Sequence, residues 1–273
     1  MIRRRPSGLK YVRGVNIRPM RQSVRPSPVF LVICAITALG GALAWLAGTS
    51  LSAIAYVGVF TFVIAGWLVS LCLHEFAHAY MAWRYGDHDV AVRGYLTLNP
   101  LKYSNPLLSL GLPLVFIALG GIGLPGGAVY VRTSWMTPRR RTVVALAGAT
   151  VNAALAVVLL AVTAVLADAH HAVFWSGMAF LGFLQVTAVV LNLLPIPGLD
   201  GYSALEPHLS PETQHALQPA KQWGFVILFI LLIAPPLNQA FFSIVYRLFD
   251  LSHVPSILVA LGSHLTRFWS AWF

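Results

Sequence analysis

Charge is what this sequence has least of. Only 10% of its 273 residues are charged, eight are acidic, and none of the acidic ones comes before Glu75. Soluble domains carry roughly 25% charged residues, so an ordinary water-facing surface is excluded and a polytopic membrane protein is indicated. Cysteine is almost as scarce. Cys34 and Cys72 lie in separate apolar runs and form no CxxC pair, so they read as membrane-buried free thiols and report no redox compartment.

What the chain has instead is apolar length, with 58% hydrophobic residues. The chain suits one bundle of about six spans and leaves no room for a separate large soluble domain. The net charge of +10 is concentrated at one end, with Arg3, Arg4, Arg5, Lys10, Arg13, Arg18, Arg21 and Arg25 all before position 28. A basic tail ahead of an apolar run is the positive-inside signal for a cytoplasmic N-terminus, and it suits anionic lipid head groups. Without interleaved aromatic residues it does not indicate nucleic acid, and no nucleic-acid partner is expected. Ala42-Leu43-Ala44 resembles a signal-peptide cleavage site, but the apolar run continues through Trp45-Leu46-Ala47, so a retained first span is expected.

Apolar runs fall at 28–48, 52–83, 106–128, 143–167, 172–194 and 222–246, with a shorter amphipathic tail at 254–273. As one helix, the run from Leu51 to Trp83 would be about 48 Å long against a hydrocarbon core of about 30 Å. Its charged turn must therefore lie near one end, on the cytoplasmic side if the N-terminus is cytoplasmic. The run 106–128 has basic residues on both flanks and a Gly/Pro-rich interior, LGGIGLPGGAVYV. It reads as a re-entrant segment ending in a short strand around Val129–Thr133, part of a β-hairpin. The next two spans return the chain to the histidine side at LNLLPIPGLDG, 191–201.

His74-Glu75-Phe76-Ala77-His78 fits H-E-x-x-H. Helix positions i and i+4 share a face, so both imidazoles can reach one zinc, while Glu75 can take a proton from the attacking water and pass it to a leaving amine. Catalytic zinc usually takes three protein ligands. Asp200 is the candidate third ligand, because Pro195 and Pro197 break the helix there and Gly198 and Gly201 let the backbone turn. Asp87 and Asp89 are weaker candidates, expected to be solvated.

With HEFAH on a membrane helix and NLLPIPGLDG in a later span, the chain resembles the site-2 protease family of intramembrane zinc metalloproteases. The second motif matches that family's Asn-x-x-Pro-x-Pro-x-x-Asp-Gly pattern from Asn192 to Gly201, and LTLNPL (96–101) and ALAGATVN (145–152) also resemble family segments. The resemblance covers about residues 70 to 205. It implies that His74, His78 and Asp200 bind one zinc, that Glu75 is the general base, and that Asn152 and Asn192 hold the substrate backbone. The family often has Gly-Pro before the first of these asparagines; here Gly148 is followed by Ala149. No PDZ-like insertion is present. A substrate helix must be unwound before cleavage, and the strand near Val129–Thr133 could pair with the unwound segment.

The expected architecture is an all-α polytopic membrane protein with five to six transmembrane helices. It divides into a basic cytoplasmic tail (1–27), a membrane-embedded metalloprotease core (28–250, motif-bearing part 52–205) and an amphipathic C-terminal segment (251–273). The expected activity is hydrolysis of peptide bonds in or near transmembrane segments of membrane-tethered proteins, in the plasma membrane of a prokaryote, with the active site towards the cytoplasm. The partners are a membrane-protein substrate and the lipid bilayer; oligomeric state and substrate identity stay open. His170, His171, His208 and His215 read as loop or surface residues. A non-proteolytic membrane scaffold on the same fold is the alternative. A zinc transporter would need polar residues along a whole pathway, and a di-iron desaturase several histidine boxes.

Overall fold

A computed structural model describes residues 24–103, 111–118, 129–267 and 269. The α-helices are α1 (Pro28–Ala47), α2 (Ala53–Arg84), α3 (Asp89–Val92), α4 (Leu112–Ala118), α5 (Pro138–Leu166), α6 (Ala172–Asn192), α7 (Asp200–Leu205), α8 (Pro211–Leu217), α9 (Gly224–Ile233), α10 (Pro235–Asp250) and α11 (Ser256–Thr266). Helices α1, α2, α5 and α6 are long and apolar enough to cross a membrane. A fifth span exists if the pair running from Pro211 to Ile233, bent by 65°, is counted as one. The apolar run 222–246 is broken at Ala234, where Pro235 and Pro236 open α10, because proline cannot donate to the preceding turn. Most of the basic tail and most of the 106–128 segment read as re-entrant lie outside the described residues.

Helix α6 is the centre of the bundle. In its most apolar window 89% of residues are buried, against 22% for α1, which faces outward. Without a hydrophobic drive in lipid, close backbone approach holds such helices together, and α1 and α2 cross in this way. A Cβ at Gly58 would sit 2.6 Å from the backbone nitrogen of Ala44, and one at Gly40 would sit 2.9 Å from the Cα of Phe62. The C-terminal helix α11 also joins the bundle, burying Val259, Gly262, Leu265 and Thr266, and His264 Nε2 lies 2.9 Å from the Tyr56 hydroxyl of α2. In the α5–α6 connection, Asp168 accepts from the Trp175 indole at 2.9 Å, while His171 stacks on Trp45 with ring centroids 3.6 Å apart. His170 and His171 therefore lie in the loop read for them, remote from the histidine turn of α2.

Two expectations need correction. No β-hairpin occurs among the described residues; 129–133 forms no regular element. Two of its backbone donors go to carboxylates instead of a neighbouring strand, Val129 N–H donating to Glu75 Oε2 at 3.0 Å and Arg132 N–H to Asp87 Oδ2 at 2.6 Å. Asp87 is not solvated, being only 2% exposed. It anchors this segment together with Asp89, whose carboxylate lies 2.7 Å from the Arg132 guanidinium. The close crossing of α1 and α2 at Gly40 and Gly58 gives a direct test. Gly58→Val forces the two backbones apart and should destabilise the detergent-solubilised protein by about 1–3 kcal/mol, the usual cost of overpacking, read as a lower thermal midpoint.

Candidate metal centre

Each side chain of the centre is placed by a distinct local feature. His74 and His78 are one turn apart on α2, within its buried face, so their rings meet edge to face with centroids 4.7 Å apart. Asp200 comes from the far side of the break after α6. That helix ends at Asn192, Pro195 and Pro197 prevent its continuation, and Gly198 turns the chain with φ of 98°, a conformation glycine adopts readily. Asp200 then opens α7 and directs its carboxylate at the histidines. Asp200 Oδ2 is 3.4 Å from both His74 Nε2 and His78 Nε2, and the two Nε2 atoms are 3.0 Å apart.

The proton positions decide what this cluster can hold. His78 Nδ1 donates to the carbonyl of Val144 at 2.7 Å; a carbonyl can only accept, so the neutral ring leaves Nε2 bare. His74 Nδ1 lies 2.5 Å from Asn152 Oδ1, which gives the second ring the same tautomer. Asp200 Oδ2 is itself buried with no hydrogen-bond partner among the described residues. Two imidazole lone pairs and one carboxylate oxygen thus converge on a single point, where they repel one another unless a cation sits between them. All three ligand atoms fall within 4.8 Å of one another. Two nitrogens and one oxygen, with room for a fourth ligand, match the donor set of catalytic zinc.

A cavity of about 310 Å³ opens beside these atoms, and Trp67, Glu75, Val129, Asn192 and Arg141 contribute to its wall. Glu75 is 3% exposed and belongs to the turn of α2 that carries the histidines. Asn192 lines the same cavity, whereas the Asn152 amide already has partners on both sides, His74 and the Gln185 carbonyl, the latter at 2.7 Å. His208 touches Thr142 at 2.8 Å at an exposed position and His215 lies on α8, which buries nothing; both are apart from the centre. Gly148 explains the sequence at the second family segment. A Cβ there would overlap Nε2 of His78 and of His74, so the wall of α5 facing the imidazoles must be bare backbone.

The chain is 68% identical over 259 residues to "Putative zinc metalloprotease Rip2" of Mycolicibacterium smegmatis, covering 95% of this chain and all of the relative. The chain belongs to the site-2 protease-like zinc metalloproteases. The Rip2 protein of Mycobacterium tuberculosis is 69% identical over 253 residues, 93% of this chain and 98% of its own length. "Putative zinc metalloprotease YwhC" of Bacillus subtilis is 33% identical over 176 residues, covering 62% of this chain and 78% of the relative. No family model matches the sequence, and no solved structure matches it. Membership makes the protein a zinc metalloprotease, and His74, His78 and Asp200 are grouped as a possible metal site.

Sequence reasoning reached His74, Glu75, His78, Asp200, Asn152 and Asn192, and the cavity gathers all six. It did not single out Gln185 or Ser70. Their signal was available, since a polar side chain inside an otherwise apolar span needs a reason. Gly148 provides a test of the geometry. Gly148→Ala should push at least one imidazole off its rotamer, and bound zinc should fall well below the wild-type level in metal analysis of the purified protein. A Gly148→Ala protein that binds zinc as wild type does would show that the imidazoles turn aside freely.

Proposed function

We propose that this metalloprotease acts within the membrane, cutting peptide bonds in or near the transmembrane segments of membrane-tethered proteins. The observation that carries the proposal is the position of the His74–His78–Asp200 cluster. It is enclosed by α2, α5 and α6, three helices long enough to cross a bilayer, rather than by a domain outside them. His74 lies about 15 Å from the C-terminal end of α2 at 1.5 Å per residue, so the cluster sits towards one face, where water can enter. Arg84, Arg93 and Arg139–Arg141 lie on that side. The three arginines occupy the first turn of α5, where the helix dipole disfavours them, which supports an anchoring role and a cytoplasmic face.

In this reading His74, His78 and Asp200 hold the zinc. Bound there, zinc supplies Lewis acidity and lowers the pKa of a coordinated water to about 7. Glu75 takes the proton of the attacking water and returns it to the leaving amine, and its burial beneath Val129 keeps the carboxylate within reach of the cavity. Asn192, in the cavity wall, is the amide that meets the substrate backbone. The segment 129–133 is the edge along which an unwound substrate pairs. Its exposed Tyr130, beneath Arg93 at 4.9 Å, marks the side open to such a strand.

The decisive measurement sets zinc content beside cleavage of a model transmembrane substrate in detergent. Glu75→Ala should keep about one zinc per chain and lose cleavage by about 100-fold or more, the scale of a general base, while Asp200→Ala should lose zinc. Zinc binding without cleavage of several substrates, with Glu75→Ala indistinguishable from wild type, would favour a membrane scaffold. Strand pairing has its own test, which leaves the Val129 bond to Glu75 untouched. Val131→Pro should reduce cleavage with zinc content unchanged, and full activity in that variant would rule the pairing out.

A further inference from the structure

The two histidines have their protons fixed by different means. His78 donates to a backbone carbonyl, which accepts only and so permits one tautomer. His74 faces a side-chain amide, which can present either oxygen or nitrogen. Left to itself, Asn152 could turn over, offer its NH2 to His74 and move the imidazole proton to Nε2, where it would block a metal. Something must hold the amide the right way round.

The structure supplies a directed chain of hydrogen bonds behind it. Asn152 Nδ2 donates to Gln185 Oε1 at 2.7 Å, Gln185 Nε2 donates to Ser70 Oγ at 2.9 Å, and Ser70 Oγ donates to the carbonyl of Gly66 at 2.9 Å. The last acceptor is a carbonyl and cannot reverse. Ser70 must therefore receive from Gln185, Gln185 must turn its oxygen to Asn152, and Asn152 must turn its oxygen to His74. Running the chain backwards forfeits the bond from Ser70 to Gly66. Gln185, Asn152 and Ser70 are 0%, 3% and 4% exposed, so a lost partner is costly there. The chain joins α6, α5 and α2; Asn152 and Ser70 reach the cavity wall, and Gln185 lies behind them.

We propose that Gln185 and Ser70 are positioning residues that set the tautomer of His74 through Asn152 and so keep its Nε2 bare for the metal. This rests on the reading of His74, His78 and Asp200 as zinc ligands. Outer partners of a ligating histidine commonly carry 10–100-fold of metal affinity, and here that dependence extends two side chains further out than the partner itself.

The test uses the full chain in detergent, with zinc affinity measured by chelator competition and histidine tautomers read by 15N NMR on the metal-free protein. Gln185→Met should weaken zinc about 10–100-fold. Gln185→Glu, which keeps an acceptor for Asn152 and, when protonated, a donor for Ser70, should restore most of it. Ser70→Ala removes one hydroxyl, and should convert the Nδ1–H signal of His74 into a mixture of tautomers; it carries the test if Gln185→Met fails to accumulate. Wild-type tautomer in Ser70→Ala, or wild-type zinc affinity in Gln185→Met, overturns the relay. His74→Ala and Asp200→Ala separate the two readings. If they lose zinc while Gln185→Met does not, only the relay falls; if they bind zinc as wild type does, the metal-site assignment falls and takes the relay with it.

Discussion

The interaction on which the rest of this structure depends is the mutual approach of three electron-pair donors inside an apolar bundle. His74 Nε2, His78 Nε2 and Asp200 Oδ2 crowd one point at separations of 3.0 and 3.4 Å. Polar groups in apolar surroundings are costly unless satisfied, and like-facing acceptors add repulsion. The surroundings answer with constraint at every side. Val144 and Asn152 draw the two ring protons outward, the proline break after α6 delivers the carboxylate, and bare backbone at Gly148 gives the rings space.

Those requirements shape the helices around the site. Helix α2 is 32 residues long because it must both cross the apolar layer and carry the histidines beyond its middle. Helix α6 is buried on nearly all sides, which suits a helix that supplies Gln185 in its interior and the hinge to Asp200 at its end. Helix α5 passes closest to the imidazoles and contributes Val144, Gly148 and Asn152, spaced about one turn apart on one face. Three helices thus meet at the centre through polar contacts, whereas α1 holds α2 by glycine-mediated backbone packing remote from the chemistry. Stability of the bundle and geometry of the site rest on different contacts.

The segment 129–133 belongs to both. Asp87, just past the end of α2, and Asp89, which opens α3, hold it through the backbone and side chain of Arg132, and it closes over Glu75 through the N–H of Val129. Two of its backbone donors, Val129 N–H and Arg132 N–H, are thereby engaged by carboxylates rather than by a neighbouring strand. The sequence reads there as a short strand closing a Gly/Pro-rich run, and the described backbone forms no ladder. The pattern says nothing about which partner receives the hydrogen bonds.

Local rules made much of this legible before any fold was known. Apolar run lengths measured against bilayer thickness marked the spans, the i, i+4 spacing placed His74 and His78 on one face, and two prolines flanking a turn marked where Asp200 could leave its helix. Scarcity helped, because in a chain with eight acidic residues each carboxylate in an apolar context asks for an explanation. What only the tertiary structure decided is what depends on contacts between helices. Asp87 became an anchor because Arg132 N–H reaches it, and Gly148 became a requirement because α5 passes against both imidazoles. Ser70, Gln185 and Asn152 became one directed chain because α2, α6 and α5 bring together residues up to 115 positions apart. Sequence determines which side chains can bond and what periodicity each helix presents; the orientation of a hydrogen-bond network is set only when its last acceptor is in place.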